Sequence, residues 1–366
     1  MLASALQSTR AGLRPTETVV THRDGHRTIE QNDVTIGTLP PSDILPPALQ
    51  PERKRLCIEP PTAPTWALPP FDDFALPPQS SLRTLRVVTW NVWFAPQSAD
   101  ERMAALFSEA LSNAPDVLCL QEVVPELAAS VRGCAALRKQ YAISENNVGA
   151  YGCLLLARHA LRASFHEVAF ECSNMGRSLL IAEWSPPLCE GRRVAVATTH
   201  LESLNNARTR AKQLRIAADA LSRYKQAMIV GDFNFDSTQN WGDWREIPPR
   251  PQRPKCDSAG DDEYAGPVRQ PTPELENEVL DTWLNGYTDA WPALRPDEAG
   301  HTFDGATNPH IPDAQERMRY DRVMVRGMVA KEITMLGTLS AAAPENDDAS
   351  PPSDHYGLCA VIDLAE

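Results

Sequence analysis

Residues 193–235 read RVAVATTHLESLNNARTRAKQLRIAADALSRYKQAMIVGDFNF, a strand, a helix and a strand in succession. The apolar runs 193–200 and 227–232 predict the strands. Between them Ala207, Ala211, Leu214, Ala218 and Leu221 recur at helical spacing and predict a helix over 206–224. Each strand ends on a polar residue with chemistry, His200 in one and Asp232 in the other.

The same texture runs outward from Leu85. Further strands are predicted at 85–93, 116–121, 151–157, 163–170, 178–184, 322–325, 331–336 and 357–363, and further helices at 100–112 and 125–139. Strands outnumber helices, and several follow one another directly through turns. This pattern predicts an α/β (α+β) chain in four layers, two mixed sheets packed face to face and flanked by helices, rather than one singly wound sheet. Residues 238–280 interrupt the pattern with seven Pro and acidic patches, and are expected to be a surface insertion with little function of its own.

The 366 residues are 42% apolar and 23% charged, enough to bury a large core. Thirteen of the 32 Pro fall before residue 81, so 1–80 is expected to be a mostly disordered tail ahead of a catalytic domain at 81–366. With 35 Lys plus Arg against 48 Asp plus Glu, the net charge of −13 argues against coating long nucleic acids and leaves room for a small local phosphate site. The eight Cys are scattered without a C-x-x-C pair, several in apolar runs, which reads as reduced thiols in an intracellular protein. No apolar run approaches the roughly 18 to 20 residues of a membrane span. A soluble protein without membrane partners is expected. Arg53-Lys54-Arg55 is a faint nuclear-import-like cluster for which solvated tail charge is the better reading; a nuclear rather than cytoplasmic location is the expectation.

Asn91, Glu122, His200, Asp232, Asn234, Asp321, Asp354 and His355 stand at predicted strand ends, where open α/β sheets place their sites. Singly each has a plain structural reading: a turn for Asn91 and Asp232, a helix N-terminal charge for Glu122, a satisfied half-buried imidazole for His200. Together they form ordered motifs: Thr89-Trp90-Asn91, Leu120-Gln121-Glu122-Val123, Thr199-His200-Leu201-Glu202-Ser203, Gly231-Asp232-Phe233-Asn234, Tyr320-Asp321-Arg322 and Ser353-Asp354-His355. Over about residues 85–364 this order resembles the endonuclease/exonuclease/phosphatase superfamily, which includes deoxyribonuclease I and the exonuclease III type abasic endonucleases. Leu120-Gln121-Glu122-Val123 with Pro125, His200-Leu201-Glu202-Ser203, Met175-Gly176-Arg177 and Thr302-Phe303-Asp304 with Asn308 are most similar to its tyrosyl-DNA phosphodiesterase branch. The resemblance implies a deoxyribonuclease I-like fold.

Hydrolysis of a phosphodiester needs a positioned water, neutralised non-bridging oxygens and help for the departing oxygen. The resemblance implies Mg²⁺, with Mn²⁺ as substitute, on Glu122 with Asn91 and Asp354 close to the ion or its waters; oxygen ligands suit such an ion. Asp232 is then expected to orient and deprotonate the water, and Asn234 to donate to the phosphate or fix that water. The two-residue gap from Asp232 to Asn234 predicts both side chains on one face of an extended segment. His355, held by Asp321, and His200 are expected against the phosphate. Arg177, Ser203, Phe303 and Asn308 are the substrate-binding residues the resemblance implies, with Phe303 stacking on a base of a single-stranded 5′ end; the alternative for Phe303 is a core aromatic. The chain departs from the family at Leu204-Asn205-Asn206, where Thr and Arg are usual, at Phe303, where Trp is, and at Phe235, where Leu is.

A phenolic leaving group, with a pKa of about 10, needs less general-acid help than an alkoxide. The leading expectation is therefore a monomeric Mg²⁺-dependent phosphodiesterase that hydrolyses 5′-phosphotyrosyl bonds at DNA ends, such as topoisomerase adducts, through a short single-stranded footprint. One alternative keeps the fold and metal and changes the substrate to that of a nuclease, abasic endonuclease, or nucleotide or lipid phosphatase. The other is a catalytically inactive scaffold.

Overall fold

The computed structural model describes residues 83–185, 193–244, 274–338 and 350–364, with Trp66, Leu68 and the backbone of three N-terminal strands. The chain divides into two compact units, Met1–Thr62 and Ala63–Glu366. In the first, β1 (Glu17–Thr21), β2 (Arg27–Gln31) and β3 (Val34–Leu39) pair antiparallel in the order β1-β2-β3. These strands fall inside the segment expected to be mostly disordered. Their Thr-Val-Val-Thr and Val-Thr-Ile runs are β-branched, a composition that favours extended backbone. The rest of 1–80, Trp66 and Leu68 apart, lies outside the described residues.

The second unit runs β4 (Thr84–Asn91), α1 (Ala99–Ser112), β5 (Val117–Val123), α2 (Pro125–Gly133), α3 (Ala135–Gln140), β6 (Tyr141–Ile143), β7 (Gly152–Arg158), β8 (Ser164–Ala169), β9 (Ser178–Trp184), β10 (Val194–His200), α4 (Ala207–Leu221) and β11 (Gln226–Asp232). After residues 245–273, which are outside the described set, come α5 (Val279–Trp283), β12 (Thr288–Asp289), α6 (Ala290–Leu294), β13 (Phe303–Asp304), β14 (Arg317–Met318), β15 (Asp321–Arg326), β16 (Val329–Leu336) and β17 (Gly357–Asp363). Two six-stranded sheets result, β16-β17-β4-β5-β7-β6 and β12-β15-β11-β10-β9-β8. Each is mixed because it holds one parallel pair, β4 with β5 and β10 with β11, joined by the crossover helices α1 and α4.

Alternation along the strands builds three apolar layers. Val87, Cys119 and Leu155 of the first sheet meet Val196, Met228 and Val323 of the second in a central core. The alternate residues Val88, Leu118 and Leu120 pack outward on Met103, Leu106 and Phe107 of α1 and Leu127 of α2. Ala195, Ala197 and Ile229 pack outward on Leu214, Ala217 and Leu221 of α4. Strands covered on both faces read as near-continuous apolar runs, as the sequence does, and the four-layered sandwich follows.

Local departures have local causes. The helix expected over 125–139 breaks because Gly133 ends α2 and Cys134 takes extended backbone, φ −68° and ψ 111°, before α3 begins. The stems of the insertion are part of the body rather than a bare surface loop. Trp244 packs with Met318 and Tyr320, and Glu276 accepts from Arg210 Nε at 2.5 Å.

Candidate active site

Two parallel pairs, one in each sheet, bring their C-terminal ends together at one end of the sandwich: Asn91 ends β4, Glu122 is next to last on β5, His200 ends β10 and Asp232 ends β11. Register holds the second pair together, since His200 lies opposite Asp232, and Asp232 opposite Asp321 at the start of antiparallel β15. The loop before β17 brings Ser353, Asp354 and His355 to the same end. Two backbone features shape this rim. A register shift between Leu120 and Val123 accompanies a left-handed Glu122, φ 60°. Gly231 has φ 124°, and a Cβ there would lie 2.2 Å from the Thr199 carbonyl oxygen, so only glycine lets β10 and β11 close beside Asp232.

Asn91 Nδ2 donates to Asp232 Oδ2 at 3.0 Å, while its Oδ1 accepts from the Trp93 N–H at 3.0 Å. Phe94 N–H donates to Glu122 Oε2 at 3.1 Å. His200 Nε2 lies 3.4 Å from Asp232 Oδ2 and 3.9 Å from Glu122 Oε1. Asp321 Oδ2 is 2.8 Å from His355 Nδ1, whose Nε2 is 3.8 Å from Asp232 Oδ2. Ser353 Oγ donates to the Asn91 carbonyl at 2.6 Å and accepts from the His355 N–H at 3.1 Å. Asn91, His200, Asp232, Asp321 and His355 are all buried.

Asn234 departs from the extended geometry its spacing predicts. The strand ends at Asp232, whose Oδ1 accepts from the Asn234 N–H at 2.9 Å in a tight turn, and Asn234 is left-handed with φ 56°. Its Nδ2 donates to the Leu201 carbonyl at 3.1 Å, bracing the two strand-end loops.

The electrostatics of the cluster are uneven. Burial, with the Glu122 and Asp232 carboxylates, pushes Asp354 up to about 7, against the pull of His355 and Arg102. Burial also raises Glu122. His200 is driven down to about 3, first by burial and then by Arg177. His355 goes the other way: burial alone depresses it, but Asp321 and Asp232 hold it well above the ordinary imidazole value. Arg177 Nη1 sits 3.0 Å from His200 Nδ1, and a guanidinium can only donate. Nδ1 therefore accepts, and the neutral His200 ring carries its proton on Nε2.

Glu122, His200 and Asp232 each place a ligand atom within 4.8 Å of the others. A divalent cation fits the carboxylates of this cluster, because burial makes it costly for Glu122 and Asp354 to ionise without one, and oxygen donors predominate. Glu122 would hold it, with Asn91 and Asp354 alongside; His200, whose Nδ1 accepts from Arg177 and whose Nε2 carries the proton, has no lone pair to offer.

The four expected substrate-binding residues take different positions. Arg177 is buried, its guanidinium 4.9 Å from the Tyr151 ring centre. Ser203 Oγ contacts Met175 Sδ at 3.2 Å. Phe303 is half-buried with its ring 4.9 Å from His355 and 5.4 Å from Tyr320, so it lies both on the small Trp244 cluster and against the site. Asn308 is buried with its amide engaged, donating to the Ser353 carbonyl at 2.9 Å and accepting from the His310 N–H at 3.1 Å; it braces the loop that carries Asp354. Sequence reasoning passed over Tyr151, which stands at the site mouth stacked 4.8 Å from Phe94, because nothing in its local sequence marks it. It also passed over Glu202, whose buried carboxylate accepts from Ser173 Oγ, the Asn174 N–H and Gln213 Nε2, shaping the 173–177 loop that carries Arg177. Its place within the His-Leu-Glu-Ser motif was the available signal.

Among known proteins, a model of the Endonuclease/Exonuclease/phosphatase family matches residues 88–355. Tyrosyl-DNA phosphodiesterase 2 of Gallus gallus is 24% identical over 290 residues, spanning 76% of this chain and 66% of its own length, so the chain covers just under two thirds of that relative. Nocturnin of Xenopus laevis is 29% identical over 209 residues, 46% of this chain and 53% of that protein. The solved structure of D. rerio TDP2 complexed with single strand DNA product superposes with a TM-score of 0.56 at 20% identity, covering 76% of this chain and 99% of that chain. That likeness is one of fold.

Proposed function

The chain belongs to the Endonuclease/Exonuclease/phosphatase family and is a phosphodiesterase of that hydrolase class, and on that premise we propose that it is a Mg²⁺-dependent enzyme that hydrolyses 5′-phosphotyrosyl bonds at DNA ends. The observation that carries the reading is the pairing of His200 and His355 around Asp232, with Arg177 and Tyr151 beside them. Asp232 is the group that orients and deprotonates the attacking water. Asn91 and the Asn234 N–H hold its carboxylate in place for that task. His200, neutral and protonated on Nε2, donates to a non-bridging oxygen. His355, cationic through Asp321, offsets the charge that grows on the phosphate. A bound Mg²⁺ supplies further neutralisation of phosphate charge and a template for the water. A phenolate leaves with little proton help, and the faces of Tyr151 and Phe94 with the Arg177 guanidinium suit an aromatic leaving group.

The DNA is engaged over a short 5′ footprint, in line with the net charge of −13. One observation favours a second reading, the same chemistry on another phosphodiester. Arg177 and Asn308 are both buried and engaged with the protein itself, and Leu204 stands 54% exposed as an apolar side chain, which leaves fewer groups for a DNA backbone. A side-by-side assay of a 5′-tyrosyl oligonucleotide, an abasic duplex and a sphingomyelin analogue separates the two. Fastest turnover of the tyrosyl substrate is expected; preference for either of the others by tenfold overturns the leading reading.

A further inference from the structure

Arg102 belongs to the first turns of α1, yet its buried side chain ends among the strand-end loops. A guanidinium has five N–H donors, and all five find backbone carbonyls. Nε donates to Gln97 at 2.9 Å, Nη1 to Val92 at 3.2 Å and to Pro352 at 3.0 Å, and Nη2 to Trp93 at 3.4 Å and to Ala95. The face of the guanidinium lies 4.5 Å from the Trp93 ring centre.

Of the two loops so tied, one follows Asn91 and bonds Glu122, and the other carries Asp354. Val92 to Gln97 continue directly from Asn91, and the N–H groups of Trp93 and Phe94 in this loop orient Asn91 Oδ1 and Glu122 Oε2 at 3.0 and 3.1 Å. Pro352 precedes Ser353, which bonds back to the Asn91 carbonyl, and Asp354. One side chain from outside the site thus sets the spacing between its two halves.

We infer that Arg102 is a positioning residue for the divalent cation, fixing the Asn91–Gln97 loop against the Pro352–Asp354 loop so that Glu122, Asn91 and Asp354 converge. The inference rests on the metal-assisted reading above. It goes beyond it in assigning metal affinity to a residue that touches neither metal nor substrate. Lysine keeps the charge but has three donors on one point, and cannot serve five carbonyls spread over two loops.

The test is Mn²⁺ uptake by the full chain without substrate, read from the loss of the free-ion paramagnetic resonance signal, with thermal unfolding measured alongside. Arg102→Lys is compared with Arg158→Lys. Arg158 also donates to two carbonyls, Pro115 and Ala114, but at the opposite end of β5 and β7. At least tenfold weaker Mn²⁺ binding is expected for Arg102→Lys, the usual scale for removing a group that orients metal ligands, with Arg158→Lys within twofold of the parent. If Arg102→Lys does not fold at the assay temperature, Trp93→Leu, which removes the half-buried ring behind the guanidinium, is expected to weaken binding threefold or more. A folded Arg102→Lys, or failing it Trp93→Leu, that binds Mn²⁺ within twofold of the parent overturns the clamp alone. A parent that takes up no Mn²⁺ overturns the metal reading and the clamp together.

Discussion

His200 and His355 flank one carboxylate from opposite electrostatic states. Burial and Arg177 leave His200 neutral, with its value near 3, whereas Asp321 and Asp232 keep His355 protonated. On the proposed mechanism, two imidazoles so divided would offer the phosphate a neutral donor and a cation, with Asp232 between them as the base. Asp232→Asn and His355→Asn are therefore expected to lower kcat by at least about a hundredfold, as loss of one acid-base or charge-stabilising group does, with thermal unfolding close to the parent. Single-turnover rates check this; a variant that keeps a third of the rate has no such role. Arg177→Lys removes the planar donor at His200 Nδ1, and the expected signature is a fall in kcat with KM little changed. A rise in KM alone assigns Arg177 to substrate binding instead.

At the scale of elements, the rim depends on how closely β10 and β11 approach at Gly231. Gly231→Ala places a methyl 2.2 Å from the Thr199 oxygen at a left-handed φ, and is expected to destabilise by about 3 kcal/mol or more in urea unfolding; a change below about 1 kcal/mol contradicts the packing argument. The long elements were legible because their periodicity extends over several residues: β9 and β17 lie where the apolar runs predict them, and α4 where the helical spacing does. The five-residue helices α5 and α6 and the two-residue strands β12, β13 and β14 are too short for any period to show. In the site, residues at strand ends could be read because strand direction alone carries Asn91, Glu122, His200 and Asp232 to one rim. Arg102 and Tyr151 could not, since each reaches the rim from a segment whose own sequence is ordinary. The turn at Asn234 escapes the spacing argument for a different reason: β11 ends at Asp232, where its apolar run predicts, and the Asp232 carboxylate then captures the backbone N–H two residues on and turns the chain.

At the scale of the whole molecule, Trp66 is 5% exposed and belongs to the apolar layer that includes α1 and α2, within the compact unit Ala63–Glu366. A 63–366 fragment is expected to match the full chain in stability and turnover. An 81–366 fragment, lacking that indole, is expected to lose about 3 kcal/mol in urea unfolding, the scale of deleting a buried Trp side chain. Equal stability of the two fragments places Trp66 outside the folding unit. Among the described residues no helix is long and apolar enough to cross a membrane. The proposed chemistry lies at the rim shared by both sheets, hydrolysis of a tyrosyl phosphodiester with a divalent cation that Glu122 and its neighbours would hold. The most direct measurement is release of tyrosine from a 5′-tyrosyl oligonucleotide by the full chain after EDTA treatment, then after return of Mg²⁺, beside Glu122→Gln. Activity abolished by EDTA, restored by Mg²⁺ and absent in Glu122→Gln is the predicted result; full activity in EDTA, or in Glu122→Gln, contradicts the account.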